Sequence, residues 1–153
     1  MCKVTVREGP WESVALFANE QLKGFDLSML DWFRLGITRI NPFSGHCQHP
    51  KRIKKGSHQF AHGYRITASV HPERTRYPWT EQVAIGTEQH DDGRFFTYIK
   101  TPVEYATAEE SLIHVVGHEA FHFLRHSKQI PGRNTEPSAN RYGIEWLAEW
   151  RQR

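Results

Sequence analysis

At 153 residues, with 38% apolar and 12% aromatic content, the chain has the size and composition of one globular domain with a core of its own. The net charge of +3 is modest, and two cysteines, Cys2 and Cys47, are too few for a disulfide-built scaffold. No apolar run reaches the roughly 18 residues of a membrane span, and Lys3, Arg7 and Glu8 stand where a signal peptide needs an apolar core, so a cytoplasmic protein without membrane contact is expected.

Pro10-Trp11-Glu12-Ser13 opens a pattern with Trp11, Val14, Ala15, Ala18 and Leu22 at helical steps, which predicts a helix over Trp11–Lys23, ended by Gly24. Leu27–Leu35 reads as a second short helix stopped by Gly36, and Ile37–Ile40 as a short strand ended by Asn41-Pro42. Phe43–Ser57 has no periodicity and reads as loop. Within it Lys51-Arg52-Ile53-Lys54-Lys55 is a basic run able to meet phosphates in a weak nucleic-acid contact, although such runs are more often solvated loops.

Alternation returns in Tyr64–His71 and Glu81–Thr87, both predicted strands. Asp92-Gly93 marks a hairpin turn into a strand over Arg94–Lys100, which Thr101-Pro102 closes. Thr107-Ala108-Glu109-Glu110 has the form of a capping box, so a long helix starts near Ala108 and runs to about Lys128, before Pro131-Gly132. Thr135 and Pro137 suit the cap and first turn of a last helix. An α+β domain spanning 1–153 follows, with a small, twisted, mostly antiparallel sheet packed on the long helix and flanked by N- and C-terminal helices.

The long helix carries His118-Glu119-Ala120-Phe121-His122. Residues four apart share a helix face, so both imidazoles can reach one ion, and Glu119 stands next to the first as a general base for water. His114 and His126 extend the stripe, but three imidazoles at that spacing span about 12 Å of helix axis, whereas zinc–nitrogen bonds are about 2.1 Å. A third ligand is therefore sought elsewhere. Glu136 is the candidate, since the Pro-Gly break lets the chain fold back, and Asn140 lies one turn later on the same face, where an amide can hold a ligand imidazole. That face also carries Gly143, Ile144 and Leu147, which implies a buried carboxylate, costly unless it meets a cation.

His118–His122 followed by Glu136-Pro137-Ser138-Ala139-Asn140-Arg141-Tyr142-Gly143 resembles the zinc metallopeptidases called gluzincins. Its E-x-x-A-N run is most similar to the ImmA/IrrE group, in which a further His often follows the second ligand by four residues, as His126 does here. The resemblance covers about Leu112–Leu147. It implies a minimal zincin fold, Zn²⁺ held by His118, His122 and Glu136, Glu119 as general base, and a protein or peptide substrate. SprT-like proteases share the H-E-x-x-H after a small sheet, but their third ligand is normally His. Tyr142 and Tyr105 are candidate oxyanion donors, and the segment Phe95-Phe96-Thr97-Tyr98-Ile99, just before the helix, is the expected edge strand for an extended substrate. The competing reading is a zincin-like module that holds zinc and binds nucleic acid or a protein without cutting it.

Overall fold

The computed structural model describes residues 3–73, 75–90, 93 and 95–153. Its elements follow in the order β1 (Val4–Val6), α1 (Glu12–Gln21), β2 (Leu30–Gly36), β3 (Phe43–Gln48), β4 (Lys51–Arg52), β5 (Phe60–His62), β6 (Tyr64–Val70), β7 (Trp79–Gln89), β8 (Phe96–Tyr105), α2 (Ala108–His126) and α3 (Glu136–Arg151), an α+β fold. Among the described residues no helix is long and apolar enough to cross a membrane.

The main sheet has the order β1-β2-β6-β3. β1–β2 and β2–β6 run parallel, whereas the edge strand β3 is antiparallel to β6. β4 and β5 form a small antiparallel continuation of the β3/β6 pair, and β7 with β8 makes a separate antiparallel ribbon. Phe33, Leu35, Ile66 and Ala68 point from the sheet into the core, fully buried beneath α1 and α2. Trp11 anchors the start of α1 by donating its indole N–H to Gly36 O at 2.9 Å. Gly9 permits this: at φ +102° a side chain is strained, and its Cβ would fall 2.4 Å from the indole nitrogen.

Two predicted elements change type. Leu27–Leu35 is not a helix; most of it is β2, whose period of two is hidden because the register slips between Leu30 and Trp32. Ile37–Ile40 falls outside any strand, and Ile40 is 85% exposed. The presumed loop Phe43–Ser57 contains β3 and β4, strands too polar to betray themselves because β3 turns only Phe43 and Cys47 partly inward. β8 runs through Thr101-Pro102 to Tyr105, since an edge strand tolerates proline. β7 and β8 pair as the hairpin requires, and Gly93 has φ +70°; Asp92 and Arg94 lie outside the described residues.

The helix ends follow the sequence closely. Thr107 Oγ1 accepts from Glu110 N at 3.2 Å, and Glu110 Oε1 accepts from Ala106 N at 3.1 Å. Thr135 caps α3 through Ser138 N at 3.3 Å. α2 and α3 cross where glycines meet: a Cβ on Gly117 would lie 2.9 Å from Gly143 Cα, and one on Gly143 would lie 2.5 Å from His114 O. This backbone approach sets the first turns of α3 against the middle of α2.

Candidate metal centre

That crossing brings three side chains to one point. His118 Nε2 and His122 Nε2 stand 3.2 Å apart, and the Glu136 carboxylate meets them at 3.1 and 3.0 Å. Ligand atoms about 2.1 Å from a tetrahedral ion sit about 3.4 Å apart, so this spacing fits one zinc-sized cation.

The hydrogen-bond network settles what His118 offers. Asn140 Nδ2 donates to Ala84 O at 2.8 Å, and a carbonyl can only accept, so the amide orientation is fixed. Asn140 Oδ1 therefore faces His118 Nδ1, 2.7 Å away, and Nδ1 must carry the proton. A neutral His118 then presents a bare lone pair at Nε2. Burial pushes its pKa below the ordinary histidine value, against the pull of Glu136, so the neutral form holds near pH 7. A lone pair facing the Glu136 carboxylate at 3.1 Å is an arrangement that a cation between them would satisfy. His122 is oriented in the same way, with Nδ1 2.6 Å from Asn134 Oδ1. Sequence reasoning overlooked Asn134; its one signal is its place in the polar turn just before the Thr135 cap.

Glu119 is 6% exposed, and its Oε1 lies 3.9 Å from His118 Nε2. Burial, helped by the negative charge of Glu136, pushes its carboxyl up to about 7. β3 passes directly over it: a Cβ on Gly45 would lie 2.7 Å from Glu119 Oε1. Gly45 is thus part of the site although nothing in the sequence marks it. Cys47, next on the same face, is pushed up to about 12 by burial and by Glu119, which keeps it a thiol.

The site lies in a cleft of about 690 Å³, with α2 as its floor and walls from β3 and Glu81–Ala84 of β7. Phe95, Phe96, Thr97, Tyr98 and Ile99 do not line it. β7 supplies that wall instead, and Phe95 and Phe96 border a separate hollow beside Thr87 and Gln89. Tyr142 is also outside the cleft lining, its ring 5.6 Å from Phe121 and 5.9 Å from Trp146. Tyr105 is buried with its hydroxyl 3.0 Å from His114 Nδ1. Burial holds that histidine down at about 4, and it lines the cleft as a neutral ring. His126 pairs with Tyr64 and stacks on His49, 3.8 Å between ring centres, rather than joining the cluster. Glu136 departs from expectation in one respect: its side chain is 60% exposed, so the cost of a buried carboxylate does not apply.

Comparison with protein-family models, with curated proteins and with solved structures finds no match.

Proposed function

We propose that the chain is a zinc-dependent peptidase, the reading best supported by the convergence of His118, His122 and Glu136 beside the buried Glu119 in an open cleft. The donor set of two imidazoles and a carboxylate suits zinc and related divalent ions. When bound, such an ion supplies a Lewis acid that acidifies water and polarises a carbonyl.

The chain's own residues carry the rest. Asn140 and Asn134 hold the two Nε2 atoms towards the ion by fixing Nδ1. Glu119 takes the proton of the attacking water at Oε1 and returns it to the leaving nitrogen, a task suited to a carboxyl poised near neutral pH. Among the described residues β3 pairs only with β6, so the backbone of Ser44–His46 can hold an extended peptide along the cleft.

The test is peptide-library hydrolysis followed by mass spectrometry, with metal content measured on the same samples. Wild type is expected to cleave and chelation to stop it. Glu119→Gln is expected to keep its metal while losing about a hundredfold or more in rate. Full activity in that variant at full metal content would refute the general-base role. A metal-loaded wild type with no hydrolysis of any peptide would favour a zinc-holding binding module.

A further inference from the structure

The sheet face opposite the helices carries none of the side chains of the proposed metal centre. From Trp32 to Pro72 the sequence has seven Lys or Arg and no Asp or Glu, a block of +7 in a chain whose total is +3. This block builds β2 through β6, and its pleat turns Trp32, Arg34, Arg65 and Thr67 away from the core. There the guanidinium of Arg34 lies 3.9 Å, and that of Arg65 4.6 Å, from the centre of the Trp32 ring. The indole N–H of Trp32 is shielded from water and has no acceptor among the described residues. Asp31, the acid just before the block, is already paired with Arg65 at 3.1 Å.

The basic hairpin β4–β5 grows from the same end of the sheet, since β3 and β6 pair there through Gln48 and Arg65. Its Arg52 lies 4.9 Å over the ring of the exposed Phe60. Lys51, Lys54 and Lys55 are exposed and make no ion pair among the described residues.

We propose that this open sheet face and the β4–β5 hairpin form a binding surface for single-stranded nucleic acid. Guanidinium groups set over aromatic rings on an open sheet face accept unpaired bases whatever their sequence, and the lysines track the phosphates. Duplex bases are stacked on each other and offer these planes nothing. The surface acts independently of the metal.

The test is fluorescence anisotropy of a labelled oligo(dT) of about twenty nucleotides at about 50 mM salt, with duplex DNA and vesicles of anionic phospholipid as competitors. The wild type is expected to bind the single strand in preference to both, with or without chelator. Trp32→Ala and Arg34→Glu are each expected to weaken it about tenfold or more, and Lys54→Glu with Lys55→Glu to lower the salt slope by about 0.7 for each phosphate no longer neutralised. Arg34→Glu alters only the solvent face, so it keeps the test valid if Trp32→Ala unfolds; thermal melts and metal content check each variant. Undiminished binding in a folded Arg34→Glu protein, or a preference for duplex or vesicles, would overturn the proposal. So would failure of the wild type to bind the single strand.

Discussion

Asn140 joins the fold to the proposed metal site, bonding both β7 and His118, and replacing it tests both. Its amide gives Nδ2 to Ala84 O at 2.8 Å and takes the Nδ1 proton of His118 at 2.7 Å. In Asn140→Ala the imidazole loses its orienting partner and is free to protonate Nε2. Losing such a support typically weakens metal binding by about 10- to 100-fold, or about 1.4–2.7 kcal/mol. Ala84 O also loses its donor, which removes about 1 kcal/mol of stability from the packing of β7 on α3. Asn140→Asp separates the two effects. Its carboxylate still accepts from Nδ1, so the metal is kept, but it sets an anionic oxygen against Ala84 O and should cost more stability than alanine does. Competition against a fluorescent zinc indicator measures the first effect, and urea unfolding in excess chelator the second. Wild-type zinc affinity in Asn140→Ala would refute the proton assignment at His118. Equal affinities in the Ala and Asp variants would refute it as well.

Three further substitutions probe the surroundings. In Gly45→Ala the new methyl would lie 2.7 Å from both Glu119 Oε1 and Val115 Cγ1, so hydrolysis should fall while the zinc affinity set by His118, His122 and Glu136 stays the same, as indicator competition can verify. Gly117→Ala forces a methyl to within 2.9 Å of Gly143 Cα and 3.1 Å of the Trp146 side chain; overpacking of this kind costs about 1–3 kcal/mol, and because α3 must move, metal affinity should fall as well. His114 gives a pH signature. Its folded-state value of about 4 lies below the ordinary 6.5, so the unfolded chain takes up its proton first, and stability present above about pH 6.5 is lost as pH falls towards 4. The loss is on the order of 3 kcal/mol, and urea midpoints in chelator should decline less steeply over that window for His114→Gln; parallel declines would show that His114 is not held neutral.

The helical parts of the site were legible because each rests on local chemistry. Thr107 and Thr135 cap their helices as their positions demand, and the four-residue spacing of His118 and His122 fixes a shared face before any packing is known. Glu136 and Asn140 could be named for the same reason, as successive positions on the first turns of a capped helix. The strands were harder to read. Phe33 and Leu35 alternate with Trp32 and Arg34, but the slip at Leu30 adds an apolar residue out of phase and imitates a helical step. β3 could not be read at all, since its inner face meets α2 through Gly45, and a glycine has no side chain to contribute to a pattern. The sequence pattern therefore points to the visible, aromatic β8 as substrate strand, while the wall of the cleft belongs to the quiet β3 and to β7.

The same distinction explains how much of the site depends on the sheet. Spacing along α2 supplies two imidazoles, but it cannot say which nitrogen of either is bare. For His118 that choice is made by Ala84 O, a backbone atom of β7, acting through Asn140. Ala84 lies in the half of β7 that walls the cleft, opposite Lys100 of β8 in the register. A peptide drawn into the cleft would lie against the strand that holds the His118 proton in place. Changes in β7 that shift Ala84 O should therefore alter metal affinity although no ligand resides there.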